Sequence, residues 1–296
     1  MRRLIVLLFV VTLPGLARAQ APAPPQGEPE TITSEAQRDK EDATARRFVQ
    51  GYLESEPLLD GEFARWKQKV CPKVWGLKPV AAWMIEHRIK EIAAKVGAPV
   101  DMDDPCAKPN LLVVVTEQPQ ASLDSIAEKA PVLVAMQDIK RLKIKYPVQS
   151  WYISLVRDDN GRLMADVESP DGTPPQVHAR LSRLYTGVTA EMGIATVIID
   201  ANAVNGLAIG TIADYSALVG LSQTVQRGVC QQVPTVANLL LKGCDPETQR
   251  ASLTDVDLAM LTGLYHSPES PEQLQRQFIV KAMKDALAKG QDTSPP

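Results

Sequence analysis

A continuous apolar strand that leads into a helix is the feature that most constrains this chain. Residues 196–199 are Thr-Val-Ile-Ile, a β-branched run that ends at Asp200 and is typical of a strand buried on both faces. Gly206 and Gly210 end that pattern, and apolar residues then recur at helical spacing as far as Val219. We therefore expect a central strand followed by a buried helix, an arrangement that often borders a ligand cleft.

The first 19 residues have the pattern of a secretory signal. Arg2 and Arg3 form a basic start, an apolar run follows, and Ala17-Arg18-Ala19 is a small-x-small cleavage site. The apolar run is too short to span a bilayer, and no cysteine follows the cleavage site as a lipid anchor requires. We expect a periplasmic or secreted protein that has no transmembrane segment after removal of the signal.

The charge of the chain argues against nucleic acid as a partner. Loss of three arginines with the signal takes the formal net charge from −3 to −6. No cluster of Lys and Arg forms a basic patch, and the most basic run, residues 140–145, alternates as a solvated strand face does. The expected partner is an unknown protein or a small ligand.

Four cysteines follow the predicted signal: Cys71, Cys106, Cys230 and Cys244. Three pairings are possible in principle. The sequential pairing, Cys71 with Cys106 and Cys230 with Cys244, is favoured because each pair brackets a short helix-containing segment, and each crosslink would contribute roughly 3–4 kcal/mol. Zinc binding is the alternative, but the chain has no C-x-x-C pair and its three histidines are scattered.

A leader and an amphipathic helix precede the predicted domain. Residues 20–33 contain four prolines and little to bury, which predicts disorder. Residues 34–55 begin with a capping box at Ser34 and Gln37 and carry one apolar stripe, which indicates a peripheral helix docked on the outside of the domain. The stripe consists of Ala45, Phe48, Val49, Tyr52 and Leu53.

Residues 66–290 contain no linker and no internal repeat, so we predict a single domain there and a disordered tail at 291–296. Pro79 opens a helix and Gly97 ends it. Residues 111–115 read as a second central strand, and residues 122–129 form a short helix.

A hairpin is predicted next. Residues 151–157 and 162–167 alternate on either side of Asn160-Gly161, a pair typical of tight hairpin turns. Residues 177–192 fit strand and helix equally well.

The C-terminal third is predicted to be helical. One short helix covers residues 234–241, a second covers 254–265 with Thr254 and Asp257 at its capped start, and a third starts at Ser270. The buried side of the third helix is predicted to contain Leu274, Phe278, Ile279, Met283 and Leu287.

The catalytic motifs that a sequence can reveal are missing. The histidines are too far apart for a zinc hydrolase motif, and no G-x-S-x-G nucleophile turn occurs. An even number of cysteines in an exported chain argues against a free thiol nucleophile, and Gly206 and Gly210 lack the lysine of a phosphate-binding loop. We assign no catalytic residue, no metal ligand and no cofactor.

Polar residues at the ends of core elements remain as candidates for a ligand site. They are Asp200, Asp214, Tyr215 and His266, with Arg180 and Arg183 as candidate contacts for an anionic ligand. The two aspartates fit acid-base work or a bound cation. Structural roles fit as well, with Asp200 in a turn, Asp214 and His266 at helix ends and the arginines on the surface.

Several motifs of the C-terminal half resemble those of uncharacterised exported proteins of Gram-negative bacteria. These motifs are A-D-Y-x-A-x-V-x-L at 213–221, C-x-x-V-P-T-V-x-N-L from Cys230, and L-T-x-x-D-L-x-x-L-x-x-L-Y at 253–265. The same region is similar, more distantly, to a domain of unknown function with a zincin-like fold, in which an H-E-x-x-T-Q helix comes first. Alignment with the end of that helix places its metal-binding and basic positions at Ile212 and Ala213, so the resemblance implies the fold without the metal.

The sequence therefore predicts an α+β protein with a small mixed sheet, packed helices and a helical C-terminal half, zincin-like in outline. The functional hypothesis is a non-catalytic binding or envelope-associated domain. The alternative is a periplasmic hydrolase that uses Asp200, Asp214 and Tyr215.

Overall fold

The computed structural model describes residues 28–55, 62–135, 142–158, 163, 187–225 and 228–292, with side chains described from position 35 to position 288. The helices of this part are α1 (Glu28–Tyr52), α2 (Pro79–Val96), α3 (Pro119–Lys129), α4 (Ile209–Leu221), α5 (Asp255–His266) and α6 (Glu272–Asp292). The strands are β1 (Pro72–Trp75), β2 (Leu111–Thr116), β3 (Val148–Asp158) and β4 (Val188–Asp200).

Two units divide the chain within α1. Arg38–Pro296 form one compact unit, and Met1–Gln37 form the other. The predicted signal at 1–19, residues 20–27 of the predicted leader and the last four residues of the tail lie outside the described residues. Residues 28–33, which the sequence assigned to a disordered leader, are the first turns of α1.

A four-stranded mixed sheet with the strand order β1-β2-β4-β3 lies at the centre of the larger unit. β1, β2 and β4 are parallel, and β3 pairs with β4 in the antiparallel sense. In the register of the central strands, Val113 lies opposite Val197 and Val115 opposite Ile199. The α+β class predicted from the sequence is confirmed.

β4 is longer than the central strand that the sequence predicted. It begins at Val188, so it includes the end of segment 177–192, for which the sequence left helix and strand open. Before Ala195, β4 pairs along its length with β3, because β2 starts opposite Ala195, and its other edge forms a single bridge between Glu191 and Arg65. This half of β4 has only one neighbouring strand, and its apolar pattern is correspondingly weaker.

The two faces of the sheet carry two separate cores, because successive residues of a strand point to opposite faces. On one face, α2 and α4 contact the sheet, and α5, α6 and the end of α1 belong to the same core, which includes Leu111, Val113 and Val197. On the other face, α3 packs its Leu123 on Ile198. The first face holds most of the buried apolar surface.

All five residues of the predicted stripe are buried in the larger core. Four of them belong to α1, and Leu53 directly follows it. The stripe itself was predicted correctly. The opposite side of the same segment is exposed at Arg46, Arg47 and Gln50.

α4 is the most enclosed helix of the larger unit, and Gly220 explains how closely it approaches the sheet. A Cβ atom at Gly220 would lie 2.6 Å from Leu111 Cδ1 on β2. The last four carbonyl groups of an α-helix have no partner within the helix and need another donor when they are buried.

Side chains from four different places supply those donors at the end of α4. The four bonds run from Ser222 Oγ to Leu218 O at 2.7 Å, from Tyr152 Oη to Val219 O at 2.9 Å, from Trp66 Nε1 to Gly220 O at 2.9 Å and from Tyr265 Oη to Leu221 O at 2.7 Å. Three of the donors are aromatic, in a chain that has only 5% aromatic residues. These bonds join β3, the segment before β1, and α5 to one helix end.

The edge strand β1 is protected against pairing with another chain. Glu86 of α2 accepts the Val74 N–H at 2.9 Å and lies 3.2 Å from Lys73 Nζ. A short strand whose outward N–H group already has a partner offers little to a further strand.

Other local predictions differ from the structure in extent. The first strand of the predicted hairpin is β3, which pairs with β4 along its length. Of the predicted second strand, 162–167, only Leu163 is described, and it forms a single bridge with Arg157. The predicted helix at 234–241 is reduced to a short 3-10 helix at Val236–Asn238. In α6, Phe278 is exposed and Val280 is buried in its place.

The predicted cap of α5 is confirmed. Thr254 Oγ1 accepts the Asp257 N–H, and Asp257 Oδ2 accepts the Thr254 N–H, which is a complete capping box. Asp257 is fully buried and also accepts from Thr235 Oγ1 and from the Val236 N–H. One carboxylate thus ties the 3-10 turn at 236–238 to α5.

Both disulfides of the sequential pairing are formed, Cys71 with Cys106 and Cys230 with Cys244. They agree with an oxidising compartment. Within the described part of the chain, every helix is too short or too polar to cross a membrane.

A buried carboxylate fastens α6 to the start of β4. Glu62 Oε2 accepts the Ala190 N–H at 2.8 Å, and Glu62 Oε1 accepts from Gln275 Nε2 at 3.0 Å. Gln275 Oε1 in turn accepts the Phe63 N–H at 2.7 Å. Burial raises the pKa of Glu62 to about 7, although the Ala190 N–H and nearby Arg65 oppose that shift.

We predict that Glu62 makes the protein less stable as the pH rises from about 5 to 8. The folded-state pKa lies above the unfolded value, so the contribution is complete below the unfolded pKa and is lost through about pH 7, with a total of about 3 kcal/mol. In Glu62→Gln this part of the pH dependence should disappear, as measured by urea unfolding at a series of pH values. The amide has one acceptor oxygen for the two donors, Ala190 N–H and Gln275 Nε2, so a constant loss at every pH is also expected.

Glu128→Gln is the matched control, because Glu128 is exposed on α3. It should keep the wild-type pH profile. An unchanged profile in Glu62→Gln would show that Glu62 is ionised in the folded state throughout this range.

Candidate functional site

A cavity lies where the end of α1, the middle of α4 and the start of β3 meet the segment after α4. It has about 50 Å³ of space for the centres of water-sized molecules, whereas one water needs roughly 10–15 Å³ by the same measure. The described lining residues are Gly51, Tyr52, Tyr146, Pro147, Val148, Tyr215, Val219, Thr224, Val225, Gly228, Val229, Gln231, Ala237, Leu240 and Leu241. We call it the tyrosine cavity, and none of these described residues is charged.

Tyr52 provides the main polar group of the tyrosine cavity. Its side chain is buried, with only 8% of the residue exposed, and its hydroxyl has no hydrogen-bond partner in the described part of the chain. Burial, with the proximity of Tyr215 and Tyr152, raises the pKa of Tyr52 well above its usual value. The hydroxyl therefore stays protonated at neutral pH and is free to donate one hydrogen bond.

Tyr152, a neighbour of this group, shows what a satisfied buried tyrosine looks like in the same region. Its hydroxyl lies 2.9 Å from Val219 O, 2.9 Å from Thr224 Oγ1 and 2.7 Å from Ser150 Oγ. Burial raises its pKa to about 12. Tyr52, by contrast, has a buried hydroxyl without an acceptor among the described residues.

Tyr215, predicted as a site residue, lines the same cavity. Its hydroxyl has no hydrogen-bond partner among the described residues, and burial raises its pKa strongly. The ring also borders a smaller apolar space next to Ile212 and Leu240. A second neutral hydroxyl thus faces the cavity from α4.

The wall opposite α4 is held by a disulfide and by one buried amide. Cys230 is joined to Cys244, and the next residue, Gln231, is fixed by Asn238. Asn238 Oδ1 accepts the Gln231 N–H at 2.7 Å, and Asn238 Nδ2 donates to Gln231 O at 2.8 Å. Because Asn238 is fully buried, this wall is formed before any ligand arrives.

Gly228 lets the ring of Tyr146 close one side of the cavity. Its φ is +62°, and a Cβ atom there would lie 2.6 Å from Tyr146 Cε1. A residue other than glycine would therefore displace the ring as well as strain the backbone.

Asp214, the second predicted site residue, lies apart from the cavity and joins three helices. It is 3% exposed, its Oδ1 accepts from Arg88 Nε at 2.8 Å, and its Oδ2 accepts the Leu253 N–H at 2.9 Å. The carboxylate raises the pKa of Arg88, mainly through their hydrogen bond. This geometry matches the structural role that the sequence left open for Asp214.

The remaining predicted site residues occupy separate places. Asp200 Oδ1 accepts from the backbone N–H and the side-chain amide of Asn202, which forms a turn after β4. His266 is exposed, lies 2.9 Å from Thr262 O through Nδ1, and packs on Gly97 at the end of α2. Arg180 and Arg183 lie outside the described residues.

Of the groups of Cys, His, Asp and Glu in the described ranges, one has the spacing of a metal site. It consists of Cys71, Asp104 and Cys106. Its two sulfur atoms are bonded to each other in the first disulfide, and Asp104 Oδ1 accepts the Cys106 N–H at 2.8 Å. The chemistry of this donor set does not favour a metal while the disulfide is intact.

The chain was compared with protein-family models, curated proteins and solved structures, and it matches none of them. The assignment of a function therefore rests on the chemistry of the sites.

Sequence reasoning identified Tyr215 but missed Tyr52, Tyr146 and Gln231 as cavity residues. Tyr52 was included in the apolar stripe of α1, which is correct for its ring. A tyrosine at the end of a buried stripe carries a hydroxyl that needs a partner, and this feature of the sequence could have identified Tyr52 as a candidate site residue.

We predict that Asp214→Ala lowers the free energy of unfolding by about 2–4 kcal/mol, because it leaves the Leu253 N–H and the Arg88 guanidinium without their acceptor. Chemical denaturation measures the loss. Asp200→Ala, at the half-exposed turn, should cost about 1 kcal/mol or less. Equal losses in the two variants would contradict the joining role of Asp214.

We further predict opposite effects for two Tyr→Phe changes. Tyr52→Phe removes an unpartnered buried hydroxyl and should raise the free energy of unfolding by about 1 kcal/mol. Tyr152→Phe removes a donor to α4 and should lower it by about 1–2 kcal/mol. Urea unfolding of both variants tests the pair, and a loss of stability in Tyr52→Phe would show that its hydroxyl has a partner in the unliganded protein.

Proposed function

We propose that this chain is an exported, non-catalytic binding protein, periplasmic or secreted, that holds a small uncharged ligand in the tyrosine cavity. The observation that carries this proposal is the buried hydroxyl of Tyr52, which has no partner among the described residues and borders a space whose described lining is uncharged. A buried donor without an acceptor costs about 1–3 kcal/mol, and a ligand that supplies the acceptor recovers that free energy.

The chemistry of the lining defines the class of ligand. The walls are mainly Val, Leu and tyrosine rings, so the body of the ligand is apolar. Tyr52 and Tyr215 are neutral donors at neutral pH, so the ligand carries a carbonyl or similar acceptor. The described walls provide no charge that would balance an anion or a cation.

The resemblance to a zincin-like domain supports binding without metal chemistry. The positions that align with its metal-binding and basic residues are Ile212 and Ala213, and both are buried in α4. Ile212 borders the small apolar space next to Tyr215. On this proposal, a degenerate zincin-like scaffold has apolar residues at its metal positions and binds an apolar ligand in the adjoining tyrosine cavity.

The alternative is a periplasmic hydrolase that uses Asp200, Asp214 and Tyr215. Tyr215 does line the cavity, but both oxygens of Asp214 are engaged and Asp200 forms its own turn. Stoichiometric zinc in the purified protein, or an activity that Asp214→Asn abolishes without unfolding the chain, would favour the hydrolase. Co-purification with envelope complexes would favour an assembly role.

Binding of small carbonyl compounds tests the proposal. We expect acetophenone, benzamide or cyclohexanone to raise the melting temperature and to bind with one site in calorimetry. Tyr52→Phe should weaken this binding by about five- to tenfold, since it removes one hydrogen bond. Ethylbenzene, which has a similar shape to acetophenone but no acceptor, should bind wild type and Tyr52→Phe equally.

A variant that obstructs the cavity provides the control. Val229 lies in the lining and is 59% exposed, so Val229→Trp should block entry without disturbing the core, whereas Val80→Trp, at an exposed position on α2, should bind like wild type. Absence of binding by all three carbonyl compounds, or binding that Val229→Trp leaves intact, would overturn the proposal.

A further inference from the structure

A second depression lies on the face of the sheet opposite the tyrosine cavity. It runs beside α3 over β2 and β4 to the carboxyl ends of the strands and has a volume of about 950 Å³. The described lining residues are Trp75, Gly76, Leu77, Leu112, Val114, Val115, Thr116, Glu117, Gln118, Ala121, Ser122, Ser125, Ile126, Leu133, Thr196 and Ala201. We call it the α3 groove.

The topology of the sheet places the α3 groove at a switch point. The connection after β1 leads to α2 on one face, and the connection after β2 leads to α3 on the other. In open α/β sheets, ligands bind where neighbouring parallel strands send their connections to opposite faces. A switch point predicts a binding site but not the kind of ligand, so the class of ligand has to be inferred from the side chains.

Thr196 is the side chain that points to a ligand. It is fully buried in β4, it lines the α3 groove, and its hydroxyl has no hydrogen-bond partner among the described residues. Its neighbours in the register are Leu112 of β2 and Trp151 of β3, and neither forms a hydrogen bond with this hydroxyl. A hydroxyl in this position needs a partner from the groove.

Further hydroxyl and amide groups follow the same side of the groove. Thr116 Oγ1 accepts from Ser122 Oγ at 3.1 Å and from the Gln118 N–H at 3.1 Å. Ser125 is one helical turn further along α3, and its hydroxyl has no partner among the described residues. These groups are neutral and both donate and accept.

Trp75 forms the opposite rim. Trp75 is the last residue of the edge strand β1. It is 43% exposed, although tryptophan is usually well buried. The face of an indole ring carries negative charge density, which attracts the C–H groups of a saturated ring stacked on it. An exposed indole opposite a row of hydroxyls is suited to a ligand with one C–H face and many hydroxyl groups.

The charge of the lining residues limits the class of ligand further. Among the described lining residues there is no Lys, Arg or His, and Glu117 is the one charged side chain. Among these described residues no cation would balance a phosphate or carboxylate ligand, and Glu117 would repel such a ligand. An uncharged ligand avoids both costs.

We propose that the α3 groove binds a neutral oligosaccharide, with a sugar ring stacked on Trp75 and sugar hydroxyls bonded to Thr196, Ser125 and the Gln118 amide. The volume of about 950 Å³ lies at the upper end of the range of small-molecule sites, so the groove has room for several linked rings. This site goes beyond the tyrosine cavity, since it lies on the other face of the sheet and takes a polar ligand.

Titration with neutral tetrasaccharides tests this inference. The probes are maltotetraose, cellotetraose and tetra-N-acetylchitotetraose, followed through the indole N–H signals in NMR and by calorimetry. We expect at least one probe to bind at millimolar concentration or below and to shift the Trp75 signal. Trp75→Ala should weaken that binding by at least about tenfold, and Thr196→Val should weaken it several-fold without loss of stability.

Trp83→Ala is the matched control, because Trp83 is 60% exposed on the neighbouring α2 and does not line the α3 groove. It should bind like wild type. Ala121→Trp, which adds bulk inside the groove, should abolish binding even if Trp75→Ala is unstable.

Three results would overturn the proposal. The first is that no probe binds at about 10 mM. The second is that Trp75→Ala and Trp83→Ala lose the same amount of affinity. The third is that Ala121→Trp binds the probe as wild type does. Because Val229→Trp blocks only the tyrosine cavity, saccharide binding should survive it, and the two proposals fail independently.

Discussion

The carboxyl end of α4 is the point on which the larger unit depends. A helix that is buried almost throughout must find partners for its last carbonyl groups, since water cannot reach them. Here Ser222, Tyr152, Trp66 and Tyr265 provide them. Because three of these donors belong to other elements, the same four bonds that satisfy α4 also fix the position of β3, of the segment before β1 and of α5.

The tyrosine cavity is a consequence of this arrangement. Tyr152 is directed to Val219 O and Tyr265 to Leu221 O, so the acceptors near the end of α4 are already occupied. Tyr52 and Tyr215 lie nearby with hydroxyls that find no acceptor in the described protein. The chain thus places its unsatisfied donors together, next to a wall that a disulfide and Asn238 hold rigid. A rigid, uncharged space with free donors is better suited to binding than to proton transfer, because the raised pKa values of both tyrosines keep them neutral.

The two faces of the sheet differ in the ligand chemistry they favour. The face covered by α4 has a small space with apolar walls and phenolic hydroxyls, while the face covered by α3 has a long open groove with aliphatic hydroxyls and an exposed indole. Both sites contain one buried hydroxyl without a partner, Tyr52 on one side and Thr196 on the other. The two carboxylates that the sequence offered for acid-base work are occupied elsewhere, since Asp214 joins helices and Asp200 forms a turn after β4. Neither of these carboxylates therefore lines the tyrosine cavity or the α3 groove.

Local pattern determined much of the fold in advance. The apolar runs of β2 and β4, the glycine end of α2, the capping box at Thr254 and the pairing of the cysteines all depend on residues close in sequence or on covalent chemistry, and each is found as expected. Which hydroxyl has a partner and which does not is a different kind of property. Tyr52 and Tyr152 are the same residue type in similarly buried positions, and only the three-dimensional meeting of β3 with the end of α4 gives one of them an acceptor and leaves the other without one. The elements of this protein thus follow from its sequence, whereas its cavities, and the role of Asp214, were decided by contacts between residues far apart in the chain, for which local periodicity carries no signal.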